Sequence, residues 1–527
     1  MGGTIQAFTE RLDFKQKHQW KAQAIARWAT QQMEQTFRPK LTFNGKKAAF
    51  TGGLTWRKFG DLVGGDTTGR QTPSGCHELN FDFKGKFALT KKMSITLLHQ
   101  QVAQREVPVY HKVVLENFLL NQMDPQKRNL SYIQIEHQLE HGIWSNWSAT
   151  ISLQTTKEGR DSRKNGSDLL RYELDQVRTL GTVIQCNNRL GRWSVRSGVD
   201  YYHDLVNSSR EDLNLLTGTI VEKRGLYPNG SEMSSLAFFS IHSFTLPKWE
   251  FSAGGRWNAF SVKVTDVDVG NVSLSPSAVV WNGSAGYFLD KQSMLFASAQ
   301  TSFRAPNIDD LGTLGIVDFR FETPNYSLQP EKSTHYQIGY KWNSSKLQVA
   351  TYVYRNELRE LINRVKQDTQ TVQGYPLYVK ENSGRAYIQG IEAEARCLVN
   401  RRLNMTASIT YTYGQNLSSN EPVRRIPPVF GRLALQFKPD FGNITVEYLA
   451  ATKQTRLAKG DMEDNRIPEG GTPGWNLINL HVEHEWEPYL IFQLSMLNLL
   501  NQDYRTHGSG INGFGRSIFA TLTLKFG

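Results

Sequence analysis

The sequence has few cysteines and no long apolar segments. Only three of its 527 residues are cysteine, at Cys76, Cys186 and Cys397. They lie far apart without a Cys-x-x-Cys spacing, which argues against a disulfide framework and against a zinc site. No run of about 18 or more apolar residues occurs, so transmembrane helices are not expected.

Enzyme and nucleic-acid signatures are absent as well. The sequence contains no Gly-x-Ser-x-Gly, P-loop or HExxH motif, and the spacing of His481 and His484 directs them to opposite faces of a strand. We therefore expect neither an enzyme nor a bound cofactor or metal.

The net charge of +12 comes from basic residues that are scattered along the chain, and no recognised nucleic-acid-binding module is present. An anionic lipid surface is a better partner for this charge, and a solvated basic surface is an equal alternative.

Alternation of apolar and polar residues is the strongest positive signal, and it is clearest at 516–527. Ile518, Ala520, Leu522, Leu524 and Phe526 share one side of the expected strand. Small polar residues and a lysine occupy the other side, where a phenylalanine at 519 is the one exception. Such a strand suits either a soluble sandwich or the wall of a barrel in lipid.

The number of alternating segments favours the barrel. About 22 strands are expected, and many of them are long enough to cross a bilayer at a tilt. Short turns, such as 44–47, 246–248, 290–292, 343–346 and 440–443, alternate with long connections. The long connections are expected at 61–76, 105–128, 205–231, 305–332, 359–383 and 453–473. The predicted fold is all-β, a transmembrane antiparallel β-barrel of about 22 strands, and 11% aromatic content fits it.

Tryptophans near predicted strand ends are consistent with an interfacial girdle. They are Trp144, Trp147, Trp249, Trp281 and Trp342. A soluble propeller also has many short strands, but no repeat of blade length is present. The propeller is therefore the third alternative.

Five segments resemble TonB-dependent outer-membrane receptors. SFRAPNIDDL at 302–311 and NYSLQPEKS at 325–333 are similar to two boxes of that family, with Tyr326 where the family has proline. NSGRAYIQGIEAE at 382–394, RIPP at 425–428 and NLLNQDY at 498–504 are similar too. The resemblance implies a plugged outer-membrane barrel that imports scarce, bulky nutrients such as a ferric siderophore, haem or cobalamin.

The domain boundaries follow from the same resemblance. Residues 1–12 are expected to be the end of a plug domain, because 2–9 resemble its last strand, and residues 13–527 are expected to be the barrel. The start lacks the basic and apolar regions of a secretory signal. The rest of the plug and the segment that engages TonB are expected to be missing, so active uptake by this chain alone is not expected.

Ligand-binding candidates lie in the long connections. The resemblance to haem receptors predicts a ligating histidine between the first two boxes, but none occurs there. Tyr326 is a substitute in principle, since haem iron accepts tyrosine. The other candidates are Arg304, Tyr110, His111, Tyr504 and His507. Arg304 suits a clamp on a ligand carboxylate, and a lumen residue paired with a carboxylate is an equal alternative.

The sequence therefore predicts a receptor in the outer membrane of a Gram-negative bacterium. Its expected partners are a small-molecule ligand, the TonB complex through the plug, and the outer membrane with its lipopolysaccharide. The alternative is a plugless passive pore or a nonfunctional truncated fragment.

Overall fold

The protein forms a closed antiparallel barrel of 22 strands. The computed structural model describes residues 8–138, 146–266, 270–312, 315–317, 320–323, 325–372, 374–486 and 489–527. The barrel strands are, in chain order, Gln19–Ala29 (β1), Glu34–Asn44 (β2), Ala48–Phe59 (β3), Cys76–Ala88 (β4), Met93–Arg105 (β5), Phe118–Gln138 (β6), Asn146–Lys164 (β7), Leu169–Leu190 (β8), Trp193–Asn214 (β9), Ser231–Thr245 (β10), Trp249–Asp266 (β11), Ser277–Phe288 (β12), Ser293–Arg304 (β13), Glu331–Asn343 (β14), Leu347–Val372 (β15), Tyr375–Leu398 (β16), Leu403–Asn416 (β17), Phe430–Phe437 (β18), Asn443–Ala451 (β19), Trp475–Trp486 (β20), Leu490–Leu497 (β21) and Ser517–Phe526 (β22). Strand β1 pairs with β22, from Ala22 opposite Phe526 to Ala29 opposite Phe519, and this pairing closes the ring. Closure leaves no sheet edge to expose unpaired backbone groups to lipid. The predicted fold class is confirmed.

The loops between these strands contain short strands and short helices. The short strands are Val107–Pro108, Ile220–Arg224, Gly270–Leu274, Gly315–Val317, Arg320–Thr323 and Glu421–Pro422. The helices are Tyr110–Leu115 (α1), Ile308–Gly312 (α2) and Lys459–Met462 (α3), with a 3-10 turn at Thr30–Gln32. Within the described ranges, no helix is both long and apolar enough to cross a bilayer.

Connections alternate between the two ends of the barrel. Turns that follow even-numbered strands are short and form the turn end, whereas loops that follow odd-numbered strands include all the long ones and form the loop end. The five predicted short turns are confirmed. The connections at 60–75, 305–330 and 452–474 agree with the predicted long ones.

Three predicted connections are wrong in extent. β9 continues to Asn214 and β6 already begins at Phe118, so the expected loops 205–231 and 105–128 are partly strand. The expected loop 359–383 is instead the paired tip of the β15–β16 hairpin. Beyond the bilayer, contact with lipid no longer favours apolar residues on one face of a strand. Apolar and polar residues therefore stop alternating in the sequence, although the backbone pairing of the strands continues.

The barrel wall is apolar outside and polar inside. On β22, Leu522 and Phe526 are exposed to the outside, while Thr523 is buried on the lumen side. The exceptional Phe519 also faces the lumen, where it packs with Ala29 and Met33 beneath the loops. The predicted facing of β22 is confirmed, and an apolar contact explains its exception.

Tryptophans mark the turn end as an interface. Trp147 and Trp249 lie at the beginnings of β7 and β11, and Trp342 lies near the last residue of β14. All three positions are at the turn end of the barrel. Trp281 lies inside β12, not at a strand end, and Trp144 lies outside the described residues. The girdle is therefore formed by three of the five predicted tryptophans.

The first described residues follow the inner wall. Lys40 pairs with Glu10, Lys84 Nζ donates to Thr9 Oγ1 at 2.9 Å, and Leu12 is buried. Residues 9–12 therefore lie inside the barrel near the turn end. The assignment of residues 1–12 to a plug domain stays a prediction, and residues 1–7 lie outside the described ranges.

Candidate functional site

Arg304 stands at the loop end of β13 and holds two carboxylates. Its guanidinium donates to Glu331 from Nε at 2.8 Å and from Nη2 at 3.0 Å, and to Asp310 from Nη1 at 2.6 Å. Lys380 reaches the same region, with its Nζ 2.9 Å from Asp309 Oδ2. These ion pairs join the strand end, helix α2 and β16.

The segment 325–330 is fixed to the β15–β16 hairpin. Asn325 Nδ2 donates to the Lys380 carbonyl at 2.8 Å, and the backbone N–H of Gln329 donates to Asn382 Oδ1 at 2.7 Å. Leu328 is 3% exposed in an apolar cluster with Leu311. The similar segments 302–311, 325–333 and 382–394 thus meet in one structural unit, which we call the Arg304 unit.

Tyr326 lies at the tip of this unit. It occupies the turn after Asn325 and is 41% exposed. Its side chain is therefore accessible to solvent at the loop end.

A second unit joins three other loops through charge. Asp461 of α3 is 1% exposed, and Arg424 donates to it from Nε at 3.3 Å. Arg425 pairs with Asp464 and donates from Nη1 to the Gly508 carbonyl at 2.7 Å. These contacts connect loops 417–429, 452–474 and 498–516, which we call the Arg425 unit.

The charge of Asp464 is stabilised in this unit. Burial alone would raise the pKa of its carboxyl, but hydrogen bonds from Arg466 and the charge of Arg425 lower the pKa below its ordinary value. The ion pairs that Asp464 makes therefore persist in mildly acidic solution.

Loop 498–516 is also fixed from within. Asn498, which is 1% exposed, donates from Nδ2 to the carbonyls of Gln502 at 2.7 Å and Phe514 at 2.8 Å. Tyr504 packs on Trp475, with ring centroids 5.2 Å apart. The ring of Tyr504 is thus part of the packing of this loop, and burial raises the pKa of its hydroxyl.

Two predicted histidines belong to the Arg425 unit. His507 Nδ1 lies 2.8 Å from Thr472 Oγ1. A Cβ at Gly510 would lie 2.8 Å from His111 Nδ1, so the backbone of loop 498–516 closely approaches the side chain of His111. The loop after β5 and the loop after β21 therefore meet at His111.

Both imidazoles favour the neutral form. Burial and then the charge of Arg466 lower the pKa of His111 from its ordinary value of 6.5. Burial likewise lowers the pKa of His507 from 6.5. A neutral imidazole keeps a lone pair for a metal or for haem iron.

The structure separates the six candidates into two groups. Tyr110, at the start of α1 beside His111, belongs with Tyr504 and His507 near the Arg425 unit. Arg304 and Tyr326 belong to the Arg304 unit. Across the described ranges, no three His, Cys, Asp or Glu side chains converge as a metal site requires.

Sequence reasoning missed the carboxylates of the loop end. Asp212, which is 2% exposed on its side chain, receives Arg210 Nη2 at 2.6 Å and Lys223 Nζ at 2.9 Å. Asp461 and Asp464 were missed as well. Arg210 is close to Asp212 in sequence, but Arg424 and Arg425 are 37 and 39 residues from Asp461 and Asp464, so local spacing does not predict those pairs.

Residues 110–499 match the model of a protein family described as TonB dependent receptor-like, beta-barrel. The chain belongs to this family. A curated relative, the vitamin B12 transporter BtuB of Photobacterium profundum, is 21% identical over 378 residues, which are 71% of this chain and 54% of the relative. The chain thus spans about half the length of that curated relative.

Solved structures share the fold at low sequence identity. The copper transporter OprC superimposes with a TM-score of 0.85 at 15% identity, covering 98% of this chain and 81% of OprC. The FrpB iron transporter of Neisseria meningitidis has a TM-score of 0.76 at 13% identity, covering 96% and 81%. A double mutant of the Serratia marcescens hemophore receptor HasR, in complex with HasA and heme, has a TM-score of 0.77 at 13% identity, covering 96% and 80%.

Family membership agrees with the resemblance seen in the sequence and locates the protein in the outer membrane. In this TonB-dependent receptor barrel the loop end faces outward, because family members carry short turns on the periplasmic side. The two loop units therefore stand at the outer mouth of the barrel.

Proposed function

We propose that this barrel belongs to a receptor that binds a scarce nutrient at its outer loops and imports it with energy from TonB. The named relatives are transporters and receptors for a vitamin, copper, iron and haem carried by a hemophore. This range favours a metal or vitamin nutrient, and it favours transport over catalysis.

Among siderophore, haem and cobalamin, the Arg425 unit favours haem. The observation that carries this assignment is the pair His111 and His507, both partly buried and both with a lowered pKa. Haem iron accepts a neutral imidazole, and Tyr110, which precedes His111 in the chain, is an aromatic side chain suited to stacking on the haem. A siderophore already fills the coordination sphere of its iron and gains less from a histidine.

Arg304 and Tyr326 receive different roles. The three donor contacts of Arg304 to Glu331 and Asp310 favour an anchor for loop 305–330 over a clamp on the ligand carboxylate. Tyr326 is proposed as an outer contact, because 41% of its surface is exposed at the tip of that loop.

Haemin titration of the detergent-solubilised full chain tests the assignment. The Soret band is expected to shift in the wild type, and the double variant H111Q/H507Q is expected to bind at least roughly tenfold more weakly. H484Q is the matched control, since His484 lies on the outer face at the turn end and contacts Trp486. Unchanged affinity in the double variant would overturn the histidine assignment.

Cyanocobalamin and a ferric catecholate are titrated in parallel. Saturable binding of either one, without haemin binding, would replace haem as the ligand and retain the receptor. Binding of none of the three probes would contradict the proposal that the loops recognise such nutrients. The passive pore and the nonfunctional fragment have no observation in their favour.

A further inference from the structure

Three cations form an isolated patch on the outer face of the barrel. Lys127 on β6 lies directly opposite Lys157 on β7, and Arg178 on β8 lies opposite Thr155, one step along the same face. We call Lys127, Lys157 and Arg178 the outer cation patch.

The facing of these side chains follows from strand register. Pairing is regular from Lys127 to Ile133 and from Ile151 to Lys157, so each cation shares a face with exposed apolar residues. Ile133 and Ile151 are 51% and 58% exposed on the outside. On β8, Arg178 shares its face with Leu180, which is 44% exposed. The patch therefore faces the surroundings of the barrel and not its lumen.

No acidic residue stands directly beside the patch in the strand ladder. Its remaining lateral neighbours in the ladder are Ala103 beside Lys127, Gln176 beside Lys157 and Leu205 beside Arg178. The nearest acids on the same face are Asp124, at the bulge beside Gly159, and Glu232, one strand beyond Leu205. Asp124 is already paired with Arg105 at 2.8 Å. In the described part of the chain, none of the three cations forms an ion pair with a carboxylate.

Lys127 and Lys157 are like charges placed directly opposite each other, and they therefore repel. Such a pair destabilises the sheet unless an anion lies between the two lysines. Elsewhere on the outer face Arg355 has internal partners, since it lies 3.3 Å from Glu357 and donates to Gln389 at 3.1 Å. The outer cation patch has no such partner and is suited to an external anion.

The height of the patch identifies the anion. From Trp147 in the turn-end girdle to Lys157, β7 rises about 33 Å at about 3.3 Å per residue. At a tilt of about 40° this is about 25 Å along the membrane normal, the height of the apolar band. The patch thus lies at the outer-leaflet headgroups, directly above the exposed Leu153, Leu180 and Ile151.

We propose that Lys127, Lys157 and Arg178 bind the phosphate groups of the lipopolysaccharide in the outer leaflet. The phosphates lie between the two lysines and the arginine, which is suited to phosphate through its planar donors. The acyl chains lie on the apolar face below, on Leu153 and Leu180. This site is independent of the loop units and of the imported ligand.

Native mass spectrometry of the detergent-solubilised full chain with deep-rough lipopolysaccharide tests the site. The variant K127Q/K157Q/R178Q is expected to bind roughly 10- to 100-fold more weakly than the wild type. The control K248Q/K291Q/K346Q removes the same charge from turns at the opposite end and is expected to bind like the wild type. Dephosphorylated lipopolysaccharide is expected to lose binding to the wild type.

Equal binding by the triple variant and the wild type would overturn the proposal, and so would an equal loss of binding in the control. Phosphatidylglycerol that competes as well as lipopolysaccharide would also overturn it and would assign the patch to anionic lipid in general. The single variant K157Q relieves the like-charged pair and therefore folds at least as well as the wild type. Its affinity is expected to fall between those of the wild type and the triple variant, and unchanged affinity would contradict the role of Lys157.

Discussion

Charged residues at the loop end mainly hold loops in place. The sequence singled out Arg304 from a motif, and the structure supplies what the motif lacked, the carboxylates of Glu331 and Asp310 as partners. His111 was likewise identified from the sequence without its structural partner. In the structure it lies against the backbone at Gly510, which brings together two loops that are far apart in sequence. Sequence patterns report local periodicity, so such distant pairs are not predictable from them.

Replacing Arg304 with glutamine is expected to loosen loop 305–330. The change leaves Asp310, whose side chain is 7% exposed, without its main counter-charge. The free energy of local opening is expected to fall by about 1–3 kcal/mol, below the full effect of a buried pair, because Arg304 is itself 41% exposed. Hydrogen exchange of the amides in 305–330 measures this change.

The matched control for this substitution is R359Q. Arg359 is 62% exposed and has one 3.6 Å pair with Glu357, so exchange is expected to stay unchanged. Unaltered exchange in R304Q together with weaker ligand binding would contradict the anchor role and restore the clamp that the sequence suggested.

Acidification is expected to loosen the Arg425 unit through its histidines. The folded-state pKa values of His111 and His507 lie below 6.5, so their contribution to stability is present above that pH and is lost as the pH falls through the folded values. Asp464 stays charged in this range because its pKa is also lowered. Hydrogen exchange of loop 498–516, corrected for intrinsic rates, is expected to quicken between pH 7 and about pH 5.

The double variant H111Q/H507Q checks the origin of that pH effect. Without the two imidazoles, the corrected exchange rates are expected to be flat over the same range. A pH dependence equal to that of the wild type would show that other groups control the loop.

At the scale of elements, strands inside the bilayer are predictable and those beyond it are less so. The alternation of β22 gave its facing correctly because lipid selects apolar residues on one side. The β15–β16 hairpin continues to Val372 and Tyr375, where the sequence suggested a loop. Pairing there depends on the partner strand, and no pattern within one strand records it.

Spin labels at Lys366 and Tyr378 test the extended hairpin. These residues are Cα partners in the structure, so their labels are expected to show strong dipolar broadening. A chain carrying either label alone provides the unbroadened reference. Spectra of the double-labelled chain that match the sum of the two single-labelled ones would contradict the paired tip.

At the scale of the whole molecule, strand number and barrel closure follow from the sequence, whereas the arrangement of the loops does not. About 22 alternating segments predicted the 22-stranded ring that the pairing of β1 with β22 closes. The separation of the candidates into an Arg304 unit and an Arg425 unit depends on which strands stand side by side in that ring. That order fixes which loops meet at the mouth of the barrel.

Energised import is tested by measuring the uptake of radiolabelled haemin and cyanocobalamin in cells that carry the native gene. In matched cells with and without TonB, we expect one of these nutrients to accumulate only when TonB is present. Accumulation that is equal in both backgrounds would contradict energised import by this receptor and would favour a passive pore.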